Sequence, residues 1–322
     1  MTEKEKGDGM IPTIFVSEIS IPEAYWEAIK AVHEKGYVLR TQYDRRNDSG
    51  EYIDPAGKDT KASIEILDLF AEPRFPPLSF CERGKYIAEL LGAKDHLVVP
   101  YTILKAMVKH GVEFSATQWP YCYHQRLAAF PTEDGEINQL EVILDKIAKD
   151  PITRRAVAVT PVPEIDLFME QDQPCLREIQ LRAIENSEGD LVLNMSAFWR
   201  SRDLYKAWGD NLIGISNLHR HLAERLAEKM KRKVIVGPYS EFNGSLHIYG
   251  QDYSEKGADK FFETFPTKQS FVERSMTSEM AIDLTVGELE TLRKEETWKF
   301  GPEQLEIIDR LIDDFSSGRI MP

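Results

Sequence analysis

Cysteine is scarce in this chain. Its three copies, Cys81, Cys122 and Cys175, are too scattered for a disulfide framework, and no C-x-x-C pair marks a structural zinc site. Long apolar runs are also missing, since no stretch approaches the roughly 20 residues that span a bilayer. The first residues, MTEKEKGDG, are polar and lack the apolar core of a signal peptide, so the expected location is the cytoplasm. Positive charge is in deficit: 40 Lys+Arg stand against 54 Asp+Glu, a formal net charge of -14. That balance excludes wrapping a nucleic-acid backbone, although a few local arginines suffice for a small anion. The glycines form neither G-x-G-x-x-G nor a Walker loop, which leaves a dinucleotide site or P-loop unsupported. His219 and His221 sit about 200° apart around a helix and do not share a metal, so no metal site is expected.

What is present fits a soluble globular protein. Hydrophobic residues make up 42% and charged residues 29% of 322 positions, enough to bury a sizeable core. Pro22 to Lys35 reads as an amphipathic helix stopped by Gly36. Residues 41–61 are polar and turn-rich, Ala62 to Leu69 is strand-like, and Glu72 to Phe80 is irregular. Helices are expected near Lys85–Leu91 and Thr102–Lys109, and more clearly over Glu136–Lys149, where Leu140, Ile143, Leu144 and Ile147 share a face. Strands follow at Arg155–Thr160, Cys175–Ile184 and Leu191–Phe198, the last two joined by the polar turn 186–190. A long helix spans Leu212–Lys231. Strands at Lys233–Val236 and Leu246–Tyr249 flank a Gly/Pro/Asn turn, and helices near Val286–Glu296 and Pro302–Phe315 close the chain. The pattern predicts one α+β domain with a mixed β-sheet packed by helices.

Several residues carry chemistry. Arg200 and Ser201 at a strand end pair a guanidinium fork with a hydroxyl, which suits a phosphate. Asn211, at the start of the long helix, can donate to a carbonyl and accept from a neighbouring N–H, matching the edge of a uracil ring. The plainer alternative is a surface Arg–Asp pair and a helix cap. Arg154 and Arg155 precede a strand and point opposite ways, so one can reach a neighbouring subunit; a charged strand edge explains them equally. Cys175 follows Pro174 and has Arg177 near in sequence, a setting that can stabilise a thiolate, whereas each cysteine can also be a small buried hydrophobe. His247 and Tyr249 share a face of their strand and can meet one ligand, or form a buried pair.

The order of these motifs is more specific than any one of them. P-C at 174–175, R-S-x-D at 200–203 with seven residues before Asn211, and H-I-Y at 247–249 resemble the thymidylate synthase and pyrimidine-nucleotide hydroxymethylase family. Arg154-Arg155 and the Tyr123 segment YCYHQRL fall in the expected order. The resemblance runs from about Gln118 to Asp252, with none seen beyond roughly residue 253. It implies a single catalytic domain over 1–322 with additions at about 1–60 and 253–322, and a sheet face used for dimerisation.

The resemblance also implies roles. Cys175 looks like the nucleophile that adds to C6 of a pyrimidine nucleoside 5′-monophosphate, making C5 a carbon nucleophile. Arg200 and Ser201 resemble phosphate binders, joined by Arg154 and Arg155 from the other subunit of a homodimer. Asn211 resembles the base reader, His247 and Tyr249 the contacts to the sugar hydroxyl, and Asp203 the residue that binds a folate pterin. Tyr123 resembles the tyrosine that helps remove the C5 proton, and Glu89 in YIAELLG the glutamate that organises proton transfer. The implied cofactor is 5,10-methylenetetrahydrofolate or a related methylene-pterin. The implied activity is conversion of dUMP to dTMP, with 5-hydroxymethylation of dUMP, dCMP or CMP, or nucleotide binding without turnover, as alternatives. This chain departs from the family pattern at Leu176, Trp199 and Arg202. Arg45 and Arg46 are faint counterparts of its N-terminal arginine loop, and SSGRIMP does not resemble its closing tail.

Overall fold

Ser20 opens the first helix with a reciprocal cap. Its hydroxyl accepts from the Glu23 N–H, and the Glu23 carboxylate accepts from the Ser20 N–H at 2.9 Å. Pro22 then presets the first turn, and Tyr25, Ile29 and Val32 bury one face of the helix. The computed structural model describes residues 8–79, 81–115, 117–169 and 173–322. The polar start at residues 1–7, and Phe80 at the end of the irregular stretch, lie outside them.

The strands are β1 (Thr13–Glu18), β2 (Tyr37–Leu39), β3 (Gly57–Ile66), β4 (Phe130–Thr132), β5 (Gly135–Ile137), β6 (Val157–Val159), β7 (Leu176–Glu185), β8 (Leu191–Trp199), β9 (Arg202–Asp203) and β10 (Val234–Ile248). The first helices are α1 (Ile21–Lys35), α2 (Arg83–Leu90), α3 (Tyr101–His110), α4 (Tyr123–Ala128), α5 (Gln139–Lys149) and α6 (Pro163–Asp166). After them come α7 (Trp208–Met230), α8 (Gly250–Glu255), α9 (Phe261–Thr264), α10 (Lys268–Glu273), α11 (Ser278–Arg293) and α12 (Pro302–Ser316). The expected α+β class with a mixed sheet is therefore observed. Among the described residues no helix is long and apolar enough to cross a membrane.

Four local expectations need correction. Asn138 accepts from the Glu141 N–H and caps α5, so Glu136 and Ile137 belong to β5 instead. The long helix begins at Trp208, and the Asn211 N–H already bonds Ala207 O at 2.8 Å, which places Asn211 inside the first turn. β10 is one continuous strand rather than two flanking a turn. Pro238 is tolerated there because it precedes Tyr239, the first residue paired with β3, so its missing N–H is outside that ladder. β1, with alternating burial, is a strand that the sequence reading lacks.

The chain forms two compact units. Unit one comprises Met1–Cys81, Phe198–Leu212 and Tyr239–Thr277; unit two comprises Glu82–Ala197, Ile213–Pro238 and Ser278–Pro322. In unit one, β1 runs parallel to β3, while β10 and β2 run antiparallel to it and β9 lies parallel to β10. In unit two, β6 pairs antiparallel with β7, and β8 follows on the other side of β7. A separate apolar cluster there joins Val99, Leu104, Val162, Ile165 and Met169.

Unit one has a polar centre. Arg202 is buried against Glu241, and its guanidinium stacks 3.9 Å from the Trp199 ring. The Glu241 carboxylate also accepts from Trp208 Nε1 at 2.7 Å, Tyr239 OH at 2.8 Å and Asn243 Nδ2 at 2.9 Å. Every one of these side chains is almost fully buried, so the charges persist because each is paired and hydrogen-bonded. Removing one partner strands the other. Glu241→Ala is expected to lower unfolding stability by about 3–5 kcal/mol, read from the denaturant midpoint, whereas the paired change Arg202→Met with Glu241→Leu recovers most of it. A loss below about 1 kcal/mol in Glu241→Ala would remove the pair from this role.

Candidate active site

Strand register builds the site in unit one. His247 lies opposite Asp59 on β3 and opposite Asp203 on β9, so three polar residues form one row across three strands. The next row, Thr60, Leu246 and Arg202, is buried. Between Asn243 and Leu246 the ladder to β3 slips, because β10 holds Gly244 and Ser245 where β3 holds only Lys61. This bulge reverses the faces. Tyr239, Glu241 and Asn243 are buried before it, and Leu246 and Ile248 after it, which turns His247 and Tyr249 to the opposite side. A side chain at position 250 would collide with Pro55 O, so Gly250 lets the 54–55 backbone pass close by.

His247 and Tyr249 rings meet edge to face with centroids 4.4 Å apart. His247 Nδ1 lies 3.1 Å from Ser245 Oγ, and Nε2 is buried with no partner. Burial, opposed by a hydrogen bond to the Ser245 backbone and aided by the Lys206 and Arg200 charges, pushes this imidazole down to about 4, so it is neutral at physiological pH. Asp203 accepts from the Lys206 N–H at 3.0 Å, and Lys206 Nζ lies 3.6 Å from Asp203 and 3.2 Å from Asp252. Burial, with the neighbouring Asp252 charge, pushes the Asp203 carboxyl up to about 6. Arg200 and Ser201 follow β8 and are half-buried. Asn211 is half-buried too, and its carboxamide has no hydrogen bond among the described residues. Tyr43, Asp44, Asp54, Lys206, Tyr249 and Gln251 line a cavity of about 290 Å³. Arg45 is bound to Asp54 at 2.7 and 2.6 Å and to Glu255, and Arg46 to Gly50 O and Tyr52, so both are engaged in local structure.

Unit two holds the remaining candidates. Cys175 lies half-buried one residue before β7, with Sγ 3.9 Å from Gln173 O. Arg177 donates to Pro174 O at 3.2 Å. Glu89 and Tyr123 are brought together: with Trp119, Pro120, Tyr121 and Cys122 they line a cavity of about 280 Å³. Its aromatic walls suit a flat heteroaromatic ring. Glu89 Oε2 accepts from Lys94 Nζ at 3.2 Å, yet burial still raises the carboxyl above its usual range. Burial also raises the Cys122 thiol, which makes it an inert packing group. Cys81 is exposed, contrary to the expectation of a buried hydrophobe. Arg154 and Arg155 are exposed, and neither guanidinium has an ion pair among the described residues.

Four residues at these places escape the sequence reading. Ser245 and Lys206 had a local signal, lying two residues before His247 and three after Asp203. Asp59 and Trp119 come from distant segments and had none. Among the described residues no group of His, Cys, Asp and Glu could hold a metal ion.

The chain is similar to several known proteins. A Methanocaldococcus jannaschii protein named "Putative thymidylate synthase" is 29% identical over 238 residues, covering 73% of this chain and 90% of that one. A Methanosarcina mazei protein of the same name is 30% identical over 187 residues, 53% of this chain and 78% of that one. The deoxyuridylate hydroxymethyltransferase of Bacillus phage SP01 is 32% identical over 155 residues, 45% of this chain and 36% of that one. The solved thermostable thymidylate synthase A of Bacillus subtilis shares the fold with a TM-score of 0.51 at 17% identity, covering 73% of this chain and 82% of that one. No family model matches.

The Asp203 environment sets a pH test. Folded Asp203 holds its proton up to about pH 6, against an ordinary value of 3.8, so its ionisation costs stability as pH rises through that window. The wild type is expected to lose about 2–3 kcal/mol between pH 4 and 7 that Asp203→Asn does not lose. The change in partnering of Lys206 is a constant offset, so the difference in slope is the readout. Parallel stability curves would remove the claim.

Proposed function

The chain belongs to the thymidylate synthase family, and from that premise we propose that it transfers one carbon to C5 of a pyrimidine nucleoside 5′-monophosphate, converting dUMP to dTMP. The observation that carries the choice of base is Asn211. A half-buried carboxamide with no partner among the described residues can donate to O4 and accept from N3–H of uracil side by side. A cytosine specialist is expected to carry an acid there.

The residues act as follows on this reading. The Cys175 thiolate forms a bond to C6, and the C5=C6 π pair moves onto C5 and the adjoining carbonyl. C5 then bonds the incoming carbon. Loss of the C5 proton, aided by Tyr123 with Glu89 as proton organiser, precedes elimination of the thiolate, which regenerates Cys175. Glu89 suits that task because burial brings its carboxyl nearer to neutrality. Arg200 and Ser201 bind the phosphate, His247 and Tyr249 the sugar hydroxyl. Asp203 offers a carboxylate to the N–H groups of a pterin. When bound, 5,10-methylenetetrahydrofolate or a related methylene-pterin supplies the carbon and, for a methyl product, the hydride.

The enzyme is read as a cytoplasmic homodimer. Its three scattered cysteines suit a reducing compartment. Phe15 and Phe242, 79% and 43% exposed, lie in one row with Ser63 between them on unit one's open sheet face, an apolar patch suited to a second copy. Arg154 and Arg155 are free to reach a partner's phosphate site.

The phage SP01 relative supports a second reading, in which water rather than hydride captures the carbon and a 5-hydroxymethyl nucleotide results. Incubation with dUMP, dCMP or CMP plus methylenetetrahydrofolate, followed by mass analysis, separates the two. A methylated dUMP with stoichiometric dihydrofolate is expected; a hydroxymethyl product without dihydrofolate would replace the first reading by the second. Cys175→Ala is expected to abolish turnover, and unchanged activity would end the covalent mechanism. Mixing inactive Cys175→Ala with an inactive Arg154→Ala/Arg155→Ala double variant is expected to restore about a quarter of wild-type activity, since one intact site forms in each mixed dimer. No recovery would refute shared sites.

A further inference from the structure

Asp59, Ser245 and His247 form a hydrogen-bonded line in unit one that the roles above leave unexplained. The Ser245 hydroxyl donates to Asp59 Oδ2 at 2.7 Å and lies 3.1 Å from His247 Nδ1. Ser245 has a single proton, and an ionised carboxylate can only accept it. Toward His247 the serine oxygen therefore presents a lone pair, and Nδ1 must carry the ring proton. The ring is neutral, so Nε2 is left as a bare acceptor, buried and without a partner among the described residues. Asp59 is itself costly to keep: burial raises its carboxyl, Oδ1 is buried and unpartnered, and no cation pairs with it among the described residues. A buried polar group with such a cost calls for a reason beyond packing. The bulge at Gly244–Ser245 supplies the geometry, because the extra residue places the serine hydroxyl between β3 and the imidazole.

We propose that Asp59 is a positioning residue, acting through Ser245 to hold His247 as its Nδ1–H tautomer so that Nε2 selects a ligand hydroxyl that donates its proton. The identity of that hydroxyl as the sugar's rests on the nucleotide reading above; the tautomer does not. A ligand group that can only accept finds a repelling lone pair at Nε2, so the line discriminates by hydrogen-bond polarity as well as by shape.

The test uses the whole ¹⁵N-labelled protein, with ring nitrogens read in long-range ¹H–¹⁵N spectra and His247 assigned by its loss in His247→Gln. The wild type is expected to show a protonated Nδ1 and a bare Nε2. In Asp59→Asn the amide can donate to Ser245, whose hydroxyl then donates to Nδ1, and the ring proton moves to Nε2. Ser245→Ala is expected to release the tautomer in the same way, and Ser245→Thr to keep it. Affinity for dUMP should fall about tenfold in Asp59→Asn, while 2′,3′-dideoxyuridine 5′-monophosphate, which lacks the hydroxyl, binds variant and wild type alike. A wild-type proton on Nε2, an unchanged tautomer in Asp59→Asn, or equal weakening of both nucleotides would overturn the proposal. A wild type that binds neither nucleotide overturns the nucleotide reading instead, and the ring spectra still decide the tautomer.

Discussion

The buried ion pair between Arg202 and Glu241 is the contact on which the rest of unit one depends. Both charges are almost fully removed from water, which is tolerable only because Trp199, Trp208, Tyr239 and Asn243 complete their contacts. Arg202 occupies the middle of the Arg200–Asp203 segment. Strand alternation in β9 means that burying its side chain turns Asp203 to the other face. The guanidinium thus anchors the segment by the one residue that faces inward. A segment held only by backbone bonds would leave the flanking polar side chains free to swing.

The same logic extends along β10. Glu241 and Asn243 face the ion pair, whereas His247 and Tyr249 must face away from it. A regular strand cannot do both, because residues 241, 243, 247 and 249 share one parity. The extra residue at Gly244–Ser245 resolves the conflict. Gly244 fits there because a side chain would stand 3.0 Å from Arg200 O. One irregularity therefore joins a stabilising network on one face to the polar row of Asp59, His247 and Asp203 on the other.

Much of this was legible in the sequence, and the parts that were not have physical reasons. Helices with strong apolar faces, such as α1 and α5, were located to within a turn, since their burial pattern and caps are local. β10 was split in two because Pro238, Asn243 and Gly244 are turn residues by propensity, and only long-range pairing with β3 overrides them. The candidates Cys175, Arg200, Ser201, Asp203, Asn211, His247, Tyr249 and Tyr123 were picked out by their order in the chain, and Glu89 by a looser match. Asp59 was invisible. It acts across strands separated by 188 residues of chain, and an aspartate in a polar stretch carries no local mark of that use. The division of the chain into two interleaved units was equally hidden, because each unit is assembled from three separate segments.

The departures at Trp199 and Arg202 read differently once their contacts are known. Taken singly, a bulky cation between Ser201 and Asp203 and an indole before Arg200 are departures from the family pattern. In the fold they form one buried stacked pair, 3.9 Å apart. Neither makes sense alone, since Trp199 without the guanidinium leaves a gap and Arg202 without Glu241 is an unpaired buried charge. The divergence at these two positions is therefore in the support behind the site rather than in the groups that would meet a ligand. Lys206 shows the same pattern on the other face, where it bridges Asp203 and Asp252 and lies 5.2 Å from the Tyr249 ring. An ion pair and its aromatic shell constrain where a backbone segment lies and leave free which outward side chains it presents.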